Sequence, residues 1–299
     1  MRRALIIGNG FDLDAGLHTS YRDFAASEYW PFKNAQQISN FNTLAYELNQ
    51  ATYLNTWFDV EETLYLYAKK EIGQLRLSGG KIEEEDKRNF RLLHDRLVSY
   101  LRNEEESFEP NENSIAAKLL MAFNVENDEN KVYSFNYTSI SKIAEKFQYW
   151  ASVNCDYIHG SIDTGHIILG VGDSRELKED YFYMHKTASH YFKTHDIIPD
   201  MLQADEVIVF GHSLGYNDYP YFMPLFQQAT KYNPNRRRKI TIFTRNEDSE
   251  LTIKRHLFDL TQRDLTLLYA MNDFKIFCTA DKAHAGEINR YLLQLKDES

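Results

Sequence analysis

The sequence predicts an α/β protein with a Rossmann-like, mostly parallel sheet that is covered by helices on both faces and carries a helical insertion. Short apolar runs alternate with longer amphipathic segments, the pattern of strands joined by helices. The runs are continuously apolar, as expected for parallel strands buried on both faces. Residues 31–125 instead repeat apolar side chains at helical spacing. We therefore expect a Rossmann-like domain formed by residues 1–30 and 126–299, and a helical lobe formed by residues 31–125.

The first predicted strand, Ala4–Ile7, ends at Gly8 and leads into a glycine-rich loop, after which Thr19 is a predicted helix cap. Beyond the insertion, strands and helices alternate. Strands are predicted at 131–135, 156–158, 166–171, 206–210, 240–243 and 274–278. Helices are predicted at 139–150, 186–203, 247–262 and 281–295.

The charge balance and the cysteine count argue against several classes of protein. The chain has 34 Lys and Arg residues against 44 Asp and Glu residues, a net charge of −10, whereas sequence-independent nucleic-acid binding needs an excess of positive charge. We interpret the basic run Arg236–Lys239 as a solvated turn. Two cysteines are too few for a disulfide framework or a four-cysteine zinc site. No apolar stretch suits a signal peptide or a membrane span, so we expect a cytoplasmic protein without a nucleic-acid or membrane partner.

Four residues end predicted strands at the edge of the sheet where ligands of parallel sheets bind. They are Gly8, Asn136, His159 and Gly211. A histidine can act as a base at neutral pH, and an asparagine can orient a water molecule or a sugar hydroxyl without changing its charge. Together with a glycine loop of the phosphate-binding kind, these side chains predict a nucleotide site.

The loop Gly8-Asn9-Gly10 has the glycines that permit a tight turn and a close approach to a phosphate. The dinucleotide fingerprint places its third glycine three residues after the second, whereas Gly16 comes six residues after Gly10. No strand ending in an acidic residue follows within the expected unit either. We therefore expect a nucleotide-phosphate loop of another type, with a purely structural turn as the alternative.

The run Gly211–Gly215 matches the nucleophile elbow G-x-S-x-G of serine hydrolases, with Ser213 as nucleophile and Asp248 and His284 in the order of a triad. In an elbow the helix begins directly after the serine. Here Pro220, which belongs in the first turn of a helix, predicts that the helix begins about six residues after Ser213. A serine hydrolase is therefore the least favoured function.

Six segments of the chain resemble the AbiH abortive-infection proteins of bacterial antiphage defence. They are GNGFDLDAGLHTSYRDF (8–24), WFDVEETL (57–64), FNYT (135–138), IHGS (158–161), LGVGDS (169–174) and FGHSLGYNDYPYF (210–222). AbiH proteins in turn resemble the sirtuin-like NAD-binding fold, which has a glycine-rich loop, an asparagine after a strand, a histidine–glycine pair and a glycine-x-serine turn. The resemblance therefore implies a sirtuin-like sheet, with NAD as substrate or ligand.

The resemblance also implies roles for single residues. It implies contacts to the NAD phosphates for Gly8, Asn9, Gly10 and Ser213, and catalytic roles for Asn136 and His159. Asp12 and Asp218 match the AbiH pattern, and we add them and Gly211 as candidate cofactor-binding residues. Peptide deacylation is not expected, because sirtuins carry a four-cysteine zinc module and an Asn-x-Asp motif where this chain has Asn136-Tyr137-Thr138. Cleavage of the nicotinamide–ribose bond remains, as in sirtuin-like defence effectors.

We therefore expect an antiphage effector that binds NAD and hydrolyses its nicotinamide–ribose bond without a metal. The resemblance implies a phage-derived or defence-system trigger as partner, and a homo-oligomer is compatible with the sequence. Two functions from other classes stay open. One is a nucleotide-binding sensor or scaffold without turnover. The other is a nuclease that binds a divalent metal through acidic residues such as Asp12, Asp59, Glu62 and Asp218.

Overall fold

The computed structural model describes residues 1–35, 43–54, 59–69, 81–123, 125, 127–149, 153–233 and 237–298. The chain forms two compact units. Unit 1 comprises Met1–Leu17, Phe108–His159 and Lys193–Ser299, and unit 2 comprises His18–Ser107 and Gly160–Phe192. These borders differ from the predicted ones near residues 30 and 125. Residues 108–125 belong to the unit that contains the sheet, whereas residues 18–30 and 160–192 belong to unit 2.

The strands in chain order are β1 (Arg3–Ile7), β2 (Lys131–Ser134), β3 (Cys155–Tyr157), β4 (Gly160–Ser161), β5 (His166–Ile167), β6 (Glu206–Phe210), β7 (Lys239–Thr244) and β8 (Asp273–Cys278). The α-helices are α1 (Asn9–Ala15), α2 (Tyr21–Ala26), α3 (Leu44–Leu54), α4 (Val60–Lys69), α5 (Lys81–Ser107), α6 (Ile115–Ala122), α7 (Ile140–Lys146), α8 (Ile197–Gln203), α9 (Tyr219–Ala229), α10 (Glu247–Leu260), α11 (Leu265–Met271) and α12 (Ala285–Asp297).

Unit 1 contains a six-stranded parallel sheet in the order β3-β2-β1-β6-β7-β8. Counted along the chain, this is the 3-2-1-4-5-6 order of doubly wound dinucleotide-binding folds. The strand order reverses between β1 and β6, which pair in register from Arg3 with Glu206 to Ile7 with Phe210. The crevice beyond the carboxyl ends of these two strands is where such sheets bind ligands.

Both faces of the sheet are buried, which confirms the predicted Rossmann-like α/β fold. Successive strand residues face opposite sides, so Leu5 and Ile7 lie in one hydrophobic core while Ala4 and Ile6 lie in the other. The first core is completed by side chains of α1, α6, α7 and α12, among them Phe11, Leu119, Ile143 and Ile288. The second is completed by α8, α9, α10 and α11, among them Met201, Phe222, Leu257 and Leu268.

Two predicted elements are wrong in extent. The predicted strand 166–171 is only the two-residue β5, because it pairs antiparallel with β4, a strand of unit 2 that is itself two residues long. The predicted helix 186–203 is α-helical only in α8, because Pro199 lacks the N–H that a helix interior requires and fits within the first turn. The helix after the first glycines is capped by Ser20, which exchanges hydrogen bonds with Asp23, and not by Thr19.

Unit 2 is organised by a buried carboxylate on its longest helix, α5. Asp86 accepts hydrogen bonds from the Leu44 backbone N–H at 3.0 Å, the Tyr67 hydroxyl at 2.6 Å and the Tyr181 hydroxyl at 3.0 Å. Burial, together with the neighbouring carboxylate of Asp86, raises the pKa of Tyr67 far above its usual range. Most of the secondary structure of this unit is helical, as predicted for residues 31–125. Residues 160–167 add a short two-stranded antiparallel ribbon.

Several sequence predictions concern residues at the margins of the described ranges. Trp57 and Phe58 of the segment 57–64, Trp150 of the helix predicted at 139–150, and Arg236 lie outside the described residues. Arg238 is buried rather than solvated, and its guanidinium donates to the backbone oxygens of Leu202 at 2.7 Å and Ala204 at 3.2 Å. Among the described residues, no helix combines the length and apolar character that crossing a bilayer requires.

Candidate functional site

Two loops of unit 1 meet at the point where the strand order reverses. The first glycine loop, Gly8–Gly10, follows β1, and the second loop, Gly211–Asp218, follows β6. The Gly10 N–H donates to the Gly211 oxygen at 2.9 Å. A Cβ on Gly10 would lie 2.6 Å from the Gly211 Cα atom, and Gly211 has a left-handed φ of +67°. The glycines therefore allow two backbones to touch.

The first glycine loop uses its backbone N–H groups within the chain. Gly8 donates to Phe210 O at 2.9 Å, and Phe11 donates to Gly8 O at 2.8 Å. Helix α1 begins at Asn9, and Gly16 ends it as a left-handed C-cap. Gly16 is thus a helix terminator and not a third fingerprint glycine. The side chain of Asn9 is exposed, whereas Gly8 is buried.

Asp12 ties α1 to the end of β2. Its buried carboxylate accepts from Asn136 Nδ2 at 2.6 Å and from Thr138 Oγ1 at 2.6 Å. Asn136 Nδ2 also donates to the Gly8 oxygen at 3.1 Å. Asp12 therefore holds the asparagine side chain, and its burial suits a positioning role rather than a direct contact with a ligand.

The amide of Asn136 has a defined orientation. Its two partners, a carboxylate and a carbonyl oxygen, can only accept hydrogen bonds, so the atom facing them is the NH₂ nitrogen. Among the described residues, none donates to the carbonyl oxygen Oδ1 of Asn136. That oxygen is a preset acceptor for a hydroxyl group or a water molecule.

Asp218 brings two histidines together at the carboxyl ends of β3 and β6. Its Oδ1 lies 2.9 Å from His159 Nε2, and its Oδ2 lies 3.3 Å from His212 Nε2. Both imidazole side chains are 6 % exposed and the carboxylate is 15 % exposed. Because a carboxylate only accepts, His159 directs a protonated Nε2 toward Asp218, and in the neutral form of the ring the lone pair is on Nδ1.

The other nitrogen of His212 is also assigned by its partner. The Leu214 N–H donates to His212 Nδ1 at 2.9 Å, so Nδ1 is unprotonated and the proton is on Nε2. Leu214 has a positive φ of 55°, a conformation that costs roughly 1–2 kcal/mol for a non-glycine residue. The second loop thus holds a strained backbone that directs this N–H toward His212.

Aromatic rings enclose the two histidines. The Phe135 ring centroid lies 4.4 Å from that of His212 and 5.3 Å from that of His159, in edge-to-face arrangements. Phe222 stacks on Phe135 at 5.5 Å, and Tyr221 lies 6.3 Å from His159. This setting lowers the local dielectric around the His159–Asp218 pair, which strengthens their electrostatic interaction.

Ser213 is placed outside any triad. Its side chain is exposed, and its backbone oxygen accepts from His256 Nδ1 at 2.7 Å. His284 Nδ1 instead accepts the Cys278 N–H at 2.8 Å, and Asp248 is exposed. Helix α9 begins at Tyr219, with Asp218 as its cap and a proline in its first turn. The predicted late start of this helix, which argued against an elbow, is therefore confirmed.

The acidic residues considered for a nuclease have separate partners. Asp12 and Asp218 belong to the two clusters above, whereas Asp59 and Glu62 start α4 in unit 2. Burial raises the pKa of Asp59, and Glu62 pairs with Arg175. Within the part of the chain that the structure describes, no group of three or more His, Cys, Asp or Glu side chains is arranged to hold a metal ion.

Comparison with models of protein families shows the family of this chain. The model of the family described as bacteriophage abortive infection AbiH matches residues 4–241. The chain belongs to the AbiH family. This assigns it to a family of phage abortive-infection defence. A comparison with curated proteins found no match.

The AbiH match spans every residue that the structure gathers at the switch point, from Gly8 to Asp218. Sequence reasoning named most of these residues but missed His212, Thr138 and Phe135. The available signal for His212 was its position directly after Gly211, in a segment where we considered only Ser213. Thr138 and Phe135 flank Asn136, and only the fold shows that one binds Asp12 while the other packs on both histidines.

Proposed function

We propose that this AbiH protein binds NAD, or a closely related nucleotide, beyond the carboxyl ends of β1, β2 and β6 and hydrolyses its nicotinamide–ribose bond. One observation carries the proposal. The switch point of a dinucleotide-type sheet holds a preset acceptor, Asn136 Oδ1, together with a histidine paired to a carboxylate, His159 and Asp218. These are the groups needed to orient a sugar hydroxyl or a water molecule and to remove its proton.

The loops limit how the pyrophosphate of the nucleotide is held. The N–H groups of Gly8, Gly10 and Phe11 already have backbone partners, so they contribute little to phosphate binding. Asn9 and Ser213 are exposed polar side chains, one on each loop. We place the phosphate contacts on these two side chains, while Gly8 and Gly10 bring the loops close enough to present them.

In the proposed reaction, NAD and water give nicotinamide, ADP-ribose and a proton. Nicotinamide leaves as a neutral molecule, so positive charge develops on the ribose. Asn136 Oδ1 accepts a hydrogen bond from a ribose hydroxyl or from the attacking water. His159 takes the proton at Nδ1, and Asp218 stabilises the resulting imidazolium through Nε2–H. The aromatic side chains around the pair limit the access of bulk water.

Family membership supports the biological setting. Cleavage of a cofactor shared by host metabolism would stop growth of an infected cell, which fits the abortive-infection description of AbiH. The sirtuin-like resemblance supports NAD as the nucleotide, because it equates Asn136 and His159 with the catalytic pair of that fold.

The test is nicotinamide release from NAD by the purified full-length chain, followed by chromatography that also detects ADP-ribose. Asn136→Ala and His159→Ala should each lower the rate by about 100-fold or more, the usual range for a lost acid–base or positioning group. Asn113→Ala and His190→Ala, which change exposed side chains elsewhere, are the matched controls. Equal rates in the wild type and both site variants would overturn the assignment.

A nucleotide sensor without turnover gives a different result. Calorimetry would then show NAD binding that Asn136→Ala weakens, while no nicotinamide appears. Failure of both binding and turnover, in the presence of a phage lysate as a source of trigger, would reject NAD as the ligand.

A further inference from the structure

We propose that His212 is a positioning residue that holds Asp218 in place for His159. The inference rests on the proposed function for its effect on rate, but its structural part rests on the tautomer of His212 and on its contact with Asp218. His212 contacts Asp218 and not the position of Asn136 Oδ1, so it acts through its neighbour rather than on substrate.

The tautomer of His212 follows from its hydrogen bond to the backbone and its close contact with Asp218. A backbone N–H can only donate, so the Leu214 N–H at 2.9 Å requires a lone pair on Nδ1. The proton of the ring is therefore on Nε2, which faces Asp218 Oδ2 at 3.3 Å. The loop backbone thus selects the tautomer that can donate to the carboxylate.

The carboxylate of Asp218 contacts two imidazole rings. One oxygen faces His212 and the other faces His159, so a single carboxylate orientation satisfies both. Loss of the His212 contact removes one of the groups that hold the carboxylate in the orientation that faces His159. His159 would then lose the partner that orients its ring and stabilises its protonated form.

His212 is itself tightly packed. A Cβ on Gly8 would lie 2.5 Å from the His212 Cα atom, and Phe135 packs at 4.4 Å against the imidazole. Leu214 is fully buried, which fixes the residue that supplies the N–H. Among the titratable groups next to these two rings, Asp218 lies 3.3 Å from His212 and the Tyr221 ring lies 6.3 Å from that of His159.

Two variants separate a positioning role from simple anchoring of the loop. His212→Gln keeps a donor near the position of Nε2 but loses the acceptor for the Leu214 N–H. His212→Asn keeps an acceptor near the position of Nδ1 but has no donor that reaches Asp218. If His212 acts through Asp218, His212→Asn should lower nicotinamide release by up to about 100-fold, and His212→Gln should stay within about fivefold of the wild type. The opposite ranking would mean that His212 only anchors the loop.

A second readout does not depend on turnover. Nitrogen NMR of histidine-labelled protein at pH 7.5 should show a protonated Nε2 and an unprotonated Nδ1 for His212. The His159 signals should move in His212→Asn and return toward their wild-type positions in His212→Gln. His256→Asn, which removes a contact to the Ser213 backbone oxygen at 2.7 Å in the same loop, is the control for general loosening.

The two readouts distinguish the possible failures. If the wild type releases no nicotinamide, the proposed reaction fails while the NMR result still decides the role of His212. A proton on His212 Nδ1, or His159 signals that are unchanged in His212→Asn, would overturn the inference. If His212→Asn does not fold, Asp218→Asn replaces it, since an amide accepts from only one ring and should move the signals of both histidines.

Discussion

The two loops that meet at the switch point follow neighbouring strands. The first contributes mainly backbone contacts to the candidate site, and the second contributes polar side chains. The first glycine loop enters α1 at once, and its backbone hydrogen bonds are formed within the chain. The second loop delays its α-helix until Tyr219 and carries left-handed residues at Gly211 and Leu214. The polar side chains that face each other, His212 and Asp218, both come from the second loop.

This difference separates two meanings of a glycine-rich motif. Glycine at positions 8, 10 and 211 is required because two backbones touch, and that requirement would exist without any ligand. The longer second loop has room for side chains that reach the ends of β2 and β3. The glycines therefore explain why the two loops touch, and the polar residues beside them supply the chemical groups of the candidate site.

The largest effect on stability is expected from a substitution that breaks the contact between the two loops. Gly211→Ala places a Cβ 2.5 Å from the Gly10 backbone at a φ of +67°. Left-handed strain and overpacking together should lower the free energy of unfolding by about 3 kcal/mol or more. Urea denaturation followed by circular dichroism measures this loss, and Gly10→Ala should give a similar one.

The control for this prediction is a glycine with open space around it. Gly286 lies in the first turn of α12 with no atom within 4 Å of an added Cβ. Gly286→Ala should leave stability unchanged or raise it by up to about 1 kcal/mol. A similar loss in Gly286→Ala and Gly211→Ala would mean that the loops do not depend on their close contact.

A smaller effect is expected from the residue that links the first glycine loop to β2. Asp12→Ala removes the acceptor for both Asn136 and Thr138, two charge-assisted hydrogen bonds at 2.6 Å. The loss should be about 3 kcal/mol, whereas Asp12→Asn, which can still bond both partners, should lose about 1 kcal/mol. The exposed Asp128→Ala is the control in the same denaturation experiment.

The same pair of variants tests whether Asp12 serves Asn136. If Asp12 orients the amide, nicotinamide release should fall more in Asp12→Ala than in Asp12→Asn, at a temperature where both are folded. Equal rates in folded Asp12→Ala and wild type would restrict Asp12 to a stabilising role.

The parallel sheet was predictable from the sequence because its strands are short, continuously apolar runs that end in residues such as Gly8 and Asn136. The residues that end them define one edge of the sheet, so most of the site was predictable as well. The strand at 166–171 and the helix at 186–203 were not, because a local turn and Pro199 override the apolar pattern there.

The partners of the site residues could not be predicted. Asp12 and Asn136 are 124 positions apart, and His159 and Asp218 are 59 apart, so only the folded sheet brings them together. His212 was missed for a related reason. Its role depends on a left-handed backbone at Leu214. A bulky residue rarely adopts a positive φ, so the sequence does not predict this conformation.

The smallest expected effects show which of the two loops contacts the pyrophosphate of a bound nucleotide. Asn9→Ala and Ser213→Ala remove exposed side chains, so neither should change stability measurably. If each contacts the pyrophosphate, KM for NAD should rise about fivefold, roughly 1 kcal/mol, with kcat unchanged, because the contact is the same in the ground state and the transition state. A rise in only one variant would assign phosphate binding to that loop alone.

A fall in kcat in Ser213→Ala, together with labelling of the wild type by a fluorophosphonate, would instead support a serine hydrolase. The exposed position of Ser213 and the Cys278 N–H bound to His284 Nδ1 argue that no such labelling will occur.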